Sequence, residues 1–332
     1  MSLPTINDYS ASIEVPALIK AAKLKGGHTV KKSNRQIKYS GGFCVVFPFE
    51  NNGKKYAVRC WHAAVNDVQN RARLIADAIN HSSLPYFADF EYVKEGIITP
   101  QGMQPIVIMD WVDALPLKKY ISQNICRPQI LLSLAESFKT MVGELHKLHF
   151  AHGDLQHGNI MVKNDGSIVL VDYDSMYVPG LSGVTDEIKG LAGYQHPARW
   201  KNKILCENVD YFSELIIYTS IIGLSKHPEL WTRLNLDDSE TMLFSAEDIS
   251  SPQSAHIYSL LSRDSEIKPL TDKILEFLSK KELNELEPLE EAVINKGRQY
   301  IDGLSDKWKD NGYKKPSPSD IVNTAGEISA KW

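Results

Sequence analysis

The sequence lacks the features that would direct it to a bilayer, an oxidising compartment or nucleic acid. Its most apolar run, residues 215–224, is about half the length that a membrane span needs, and reads as a buried helix. The four cysteines, Cys44, Cys60, Cys126 and Cys206, lie far apart with no Cys-x-x-Cys pair. That excludes a disulfide framework or a zinc ribbon and fits reduced, structural thiols in a cytoplasmic protein. The opening residues lack the basic-then-apolar plan of a signal peptide. Lysine and arginine number 37 against 41 acidic residues, a net charge of −4, with pI near 6.2. This balance argues against nucleic acid as a main partner. There is no internal repeat. What remains is a chain of 332 residues, 43% hydrophobic and 23% charged, ordinary for a globular protein of one large or two smaller domains.

The chemistry-bearing residues are concentrated in one stretch. Ala151-His152-Gly153-Asp154-Leu155-Gln156-His157-Gly158-Asn159 is followed by the apolar run Ile168-Val169-Leu170-Val171 and then by Asp172-Tyr173-Asp174. An Asp, an Asn five places later and a second Asp at the mouth of a short strand form a phosphate-metal arrangement. The first Asp can orient or deprotonate a hydroxyl. The Asn and the second Asp are hard oxygen ligands, suited to magnesium carried on nucleotide phosphates.

Around this stretch the pattern changes twice. Residues 1–36 read as a solvated arm packed on the first domain, with a helix near 15–25 stopped by Gly26-Gly27. Residues 37–112 read as five short strands and one helix. Asn52-Gly53 is a hairpin turn. The helix, over 62–80, carries Val65, Val68, Ile75 and Ile79 as its apolar stripe. Residues 87–93 and 97–98 read as separate strands. Beyond residue 113 the chain becomes helical. A long amphipathic helix over 128–150 delivers the chain to His152, and Asn164-Asp165-Gly166 turns a second hairpin. Residues 175–196, rich in Gly and Pro, read as a mobile loop. Several helices come after it, with breaks at 226–228 and 250–253. Residues 280–310 read as charged and helical, and 314–319 as a linker.

Taken in order, these motifs resemble the protein kinase superfamily over roughly residues 37–280. Ala57-Val58-Arg59-Cys60 is similar to the strand that carries the nucleotide-site lysine. His152-Gly153-Asp154 through Asn159 is similar to the catalytic loop, and Asp172-Tyr173-Asp174 to Asp-Phe-Gly. Gly193-Tyr194-Gln195-His196-Pro197-Ala198 resembles the end of the activation segment. Asp210-Tyr211-Phe212-Ser213 resembles the start of the helix whose Asp braces the catalytic loop. The intervals between these motifs are close to those of kinases.

The resemblance implies an α+β, bilobal protein kinase-like fold. A small antiparallel β-rich N-lobe with one helix (37–112) would sit on a larger, mainly helical C-lobe (113–280). An N-terminal extension (1–36) and a C-terminal helical extension and tail (281–332) would flank them. It implies ATP and Mg2+ as cofactors. Asp154 would orient the acceptor hydroxyl, Asn159 and Asp172 would hold the metal, and Arg59 would contact the α/β phosphates. Gly41 and Gly42 would belong to the loop over the phosphates. Val46, Ala57, Met109 and Met161 would sandwich the adenine, whose edge the backbone of Asp110, Trp111 and Val112 would read.

The departures are chemical. Arg59 replaces a lysine, and a guanidinium is larger, planar and differently hydrated. Cys44 stands at the third glycine of the loop. The helix at 62–80 has no Glu, and Asp77 is its nearest acidic candidate to pair with Arg59. Gly153 replaces an Arg that would read a phosphate, Gln156 replaces a lysine, and Ala198 replaces an anchoring Glu. Three readings stay open: an atypical Ser/Thr protein kinase acting on a protein substrate, a pseudokinase that binds a signalling partner as scaffold or nucleotide sensor, and a small-molecule phosphotransferase. His152 reads as a packed structural histidine, and Asp174 as a turn residue without an assigned role.

Overall fold

A computed structural model describes residues 3–63 and 68–293. Of these, residues up to 290 belong to one compact unit. The expected linker at 314–319 and most of the 280–310 helix lie outside the described residues.

This unit opens with helix α1 (Ile6–Ile13), whose Thr5 and Asp8 form a reciprocal cap that satisfies two of its free N–H groups. Short strands β1 (His28–Thr29), β2 (Lys31–Lys32), β3 (Arg35–Gln36) and β4 (Tyr39–Ser40) come next. The long strands β5 (Cys44–Asn51) and β6 (Lys54–Trp61) are joined at Asn52-Gly53, where φ is +50° and +74°, the backbone of a tight primed hairpin turn. Helix α2 (Val68–Ser82) leads to β7 (Phe90–Thr99) and β8 (Gly102–Asp110). β2 and β3 pair with each other, and the other six strands make an antiparallel sheet of order β1-β5-β6-β8-β7, with β4 also on β5.

Side chains alternate across a sheet with a period of two, so the register assigns its faces. Val46 pairs with Arg59 and Arg59 with Val107, while Ala57 pairs with Met109. One face thus carries Val46, Ala57, Arg59 and Met109 together. The other carries Val45, Phe47, Phe49, Val58, Cys60, Ile106 and Ile108, packed in one cluster with Tyr9, Ile13, Ile19 and Leu24. The residues expected as a solvated arm therefore roof the outer sheet face. Each fully buried apolar side chain there is worth about 1.5–3 kcal/mol. The helix expected at 15–25 is instead two single turns, Pro16–Leu18 and Ala22–Leu24. Pro16 fits only a first turn, and the roof needs the chain to follow the sheet edge. The two strands expected at 87–93 and 97–98 are one strand, β7, with a bulge between Val93 and Ile97.

Strand β9 (Leu115–Pro116) and helices α3 (Leu117–Asn124) and α4 (Pro128–Lys147) lie beyond it. α4 begins with a proline, which lacks only an N–H that has no partner there. It buries Leu131, Leu134, Phe138, Met141, Val142 and Leu145 on one stripe. Strands β10 (Ile160–Val162) and β11 (Ile168–Leu170) form a three-stranded sheet with β9, order β11-β10-β9. Helix α5 (Tyr211–Lys226) is buried on all sides, as a helix through a core must be. It ends at the expected 226–228 break. Helices α6 (Leu230–Arg233), α7 (Ala246–Ser250), α8 (His256–Leu261) and α9 (Lys268–Ser279) follow, and residues 289–293 are again helical. Among the described residues no helix is long and apolar enough to cross a membrane. The four cysteines are unpaired; Cys44 and Cys60 are buried, but Cys126 is exposed.

Candidate active site

The loop between α4 and β10 is held from behind. Asp210, at the start of α5, accepts the backbone N–H groups of His152 and Gly153, which is the bracing expected of it. His152 is 1% exposed and donates from Nε2 to the Val171 carbonyl at 2.9 Å. It is a structural histidine tying the loop to the chain before Asp172. Gly153 has φ +77°, and a Cβ there would lie 2.0 Å from the Ser175 carbonyl oxygen. Only glycine allows the loop and the segment after Asp172 to approach so closely.

In front of this brace stand the candidate residues. Asn159 Nδ2 donates to the Asp154 backbone carbonyl at 2.8 Å and to Asp154 Oδ2 at 3.0 Å. Asp154 Oδ1 accepts the Leu191 N–H at 3.1 Å. Gly190 fits there because a Cβ would fall 2.5 Å from the same oxygen. Burial raises the Asp154 pKa above the usual carboxylate range, with the charge of Asp172 adding to it and His152 opposing. The two aspartates thus sense one another.

Asp172 has φ +67° and ψ +71°, the left-handed conformation that short polar side chains tolerate best. Its Oδ1 accepts Arg59 NH1 at 2.9 Å, and Asp174 accepts Arg59 NH2. Arg59 is 4% exposed. Half of the Asp172 side chain is solvent-exposed. Burial acts against its charge, but Arg59 outweighs burial and lowers its pKa. Asp174 is pushed up to about 6 by burial, with Asp172 repelling it and Arg59 opposing.

Arg59 therefore finds its counter-ions in Asp172 and Asp174. Asp77 is not its partner: it pairs with Arg73 one turn away on α2, at 3.1 Å. What α2 brings to the site is Arg71, which donates to the Asp174 carbonyl at 3.1 Å. Asp174 pairs with Arg59 from the other side of the site. Asp174 is thus an ion-pair partner rather than a turn cap. Tyr173 fills an aromatic cluster with Phe87 and Phe90. Its hydroxyl donates to the Leu170 carbonyl at 2.6 Å and accepts the Ala88 N–H at 2.9 Å.

Of the candidate nucleotide contacts, Val46, Ala57 and Met109 share the sheet face of Arg59. Met161 lies on β10 opposite Pro116. Gly41 and Gly42 sit exposed at the tip of the β4–β5 hairpin, with open space where side chains would be. The backbone edge is narrower than expected. Asp110 and Trp111 spend their N–H groups on the carbonyls of Asp89 and Lys55, while Val112 has no such partner among the described residues.

The segment expected as a mobile loop is pinned along its length. Ala151 and Tyr177 exchange two backbone hydrogen bonds, and Asp186 and Leu205 add two more across to Lys203 and Val184. The fully buried Arg199 pairs with the buried Asp186. His157 Nδ1 meets the Tyr194 hydroxyl at 2.7 Å. Burial, with Lys118 adding to it, depresses the His157 pKa to about 4. Sequence reasoning missed Arg199, Asp186 and Arg71. For Asp186 the one local signal is a charge in a Gly- and Pro-rich stretch, and it does not name partners far apart in sequence.

Comparison with known proteins matches residues 87–179 to the ABC1 atypical kinase-like domain. A probable bifunctional tRNA threonylcarbamoyladenosine biosynthesis protein of Methanospirillum hungatei is 33% identical over 99 residues. That match spans 29% of this chain and 16% of the relative's length. The stretch from residue 87 to 179 contains Asp154, Asn159, Asp172 and the loop that joins them, and over it the chain is similar to atypical kinases of the protein kinase-like superfamily.

Proposed function

We propose that this chain is a phosphotransferase that uses ATP and Mg2+, with a protein kinase-like site acting on a Ser/Thr hydroxyl of a protein substrate. The observation that carries the reading is the joint placement of Asp154, Asn159 and Asp172. On this reading the nucleotide lies in a cleft between a small β-rich lobe and a larger helical lobe.

The residues present fit such a ligand. Asn159 spends its amide nitrogen on Asp154, which leaves its oxygen as a hard donor. Asp172 reaches solvent and is held ionised by Arg59. Arg59 Nε is buried without a partner among the described residues, a donor that an anionic oxygen would satisfy. The bound ATP–Mg2+ would supply the phosphoryl group and neutralise its charge. Asp154 orients the acceptor hydroxyl, and its raised pKa suits it to take that proton. Asn159 and Asp172 hold the metal. Arg59 steadies Asp172 first, and the α/β phosphates would share it. Val46, Ala57, Met109 and Met161 enclose the base, and Val112 N–H reads its edge.

Transfer of label from ATP by wild type, and its loss in Asp154→Ala, tests this. No transfer, or equal transfer by both, defeats it. A second reading, a pseudokinase, is favoured by one observation: both terminal nitrogens of Arg59 are engaged by the chain's own carboxylates. A rise in melting midpoint with ATP and Mg2+ but no transfer supports that reading.

A further inference from the structure

The proposed transfer site contains a charged residue with no assigned part in it. Arg199 is 0% exposed, yet a guanidinium carries five N–H donors, and here each has an acceptor. Nε donates to Asp186 Oδ2 at 2.9 Å, and NH2 to Asp186 Oδ1 at 3.0 Å and to the Ile188 carbonyl at 3.2 Å. NH1 donates to the Gly153 carbonyl and to Gln195 Oε1. Burying a charge without such satisfaction is strongly unfavourable, so the pocket is built for this one shape.

Its partners flank Asp154. Gly153 precedes Asp154 in the chain, behind the carboxylate. Asp186, Ile188 and Gln195 belong to the segment that lays the Leu191 N–H on Asp154 Oδ1. Gln195 Nε2 and Asp154 Oδ1 both lie within 3.0 Å of the point that a Cβ on Gly190 would occupy. One planar cation therefore spans the backbone on one side of Asp154 and the strand of chain lying on the other.

We propose that Arg199 is the positioning residue of this site, aligning Asp154 by clamping Gly153 to the 186–195 segment. This rests on the phosphotransfer reading for its catalytic consequence, but not for the alignment itself. Lysine keeps the charge but has three donors on a flexible stem, so it cannot serve Asp186, Ile188, Gly153 and Gln195 together.

The test is Arg199→Lys, read by amide hydrogen exchange and by ATP-dependent transfer. We expect exchange at residues 154–159 and at Leu191 to quicken by about tenfold to a hundredfold, the loss of one or two charge-assisted hydrogen bonds. Amides of β5, β6 and β8 keep the wild-type rate. Turnover falls by a similar factor while the KM for ATP changes by less, because Val46, Ala57, Arg59 and Met109, which would contact the nucleotide, lie on the sheet. Unchanged exchange at the loop, or equal acceleration everywhere, overturns the proposal whatever the activity. Quickened loop exchange in a protein whose wild type transfers no phosphate upholds the clamp and refutes the phosphotransfer reading instead. If Arg199→Lys does not fold, Gln195→Met removes a single acceptor and is judged by the same comparison of loop and sheet amides.

Discussion

Replacing Gly153 by alanine isolates a steric demand at the candidate site. Two effects combine at this position. The backbone has φ +77°, where an L-residue costs roughly 1–2 kcal/mol. The new Cβ would also stand 2.0 Å from the Ser175 carbonyl oxygen and 2.7 Å from its carbon, and a backbone atom cannot swing aside. Gly183 supplies the control, with φ +82° and no atom within 4 Å of its Cβ position. Gly183→Ala should cost about 1 kcal/mol from the backbone effect alone. Gly153→Ala should cost about 3–5 kcal/mol, since the loop and the segment after Asp172 must part. Thermal denaturation followed by circular dichroism would read these as midpoint drops of about 2–4 °C and roughly 6–20 °C. Equal drops would refute the steric reasoning, because the two glycines share a backbone conformation and differ only in what surrounds them.

Four further substitutions test other claims. Tyr173→Phe strips the hydroxyl from between the Leu170 carbonyl and the Ala88 N–H. Urea denaturation should show a loss of about 1–3 kcal/mol, and no loss would mean that the hydroxyl is not needed there. Arg59→Met leaves Asp172 and Asp174 facing one another and should destabilise by about 3 kcal/mol. Adding Asp174→Asn should recover part of that loss in a double-mutant cycle, and strict additivity would deny the ion pair. His146 lies between Glu214 and Glu290, 2.9 Å from each. Burial acts against its charge, but the two carboxylates outweigh burial and push its pKa up to about 10. Burial also raises Glu214; the two-sided contacts nevertheless favour a charged imidazolium. A raised pKa contributes stability that is fully present below the ordinary histidine value and is lost as pH rises through about 10. His146→Gln should therefore flatten the stability profile across that window, and an unchanged slope would count against the triad.

Local rules made much of this molecule legible in its sequence. Asn52-Gly53, Asn164-Asp165-Gly166 and the stripe of α4 follow from turn chemistry and periodicity, and each lies where those rules put it. The Asp210 brace was legible through its resemblance to a known motif. Partners brought together by folding were not. Nothing in the sequence near Arg59 says that residues 113 and 115 positions away will neutralise it, and α2 is the nearer place to look. Arg199 was hidden for the same reason, as Asp186 and Gly153 meet it only after the chain has turned back. The first thirty-six residues misled differently: Lys31, Lys32 and Arg35 suggest a solvated arm and are exposed, while Ile13, Ile19 and Leu24 before them face inward.

That N-terminal roof sets a practical boundary on the molecule. A fragment begun at residue 37, where the kinase resemblance starts, would present Phe47, Phe49, Val58 and Ile108 to water as a bare greasy plane. Such a surface seeks another copy of itself, and the fragment should clump during expression even with every chemically interesting residue intact. The segment with least resemblance to anything catalytic is what covers that plane.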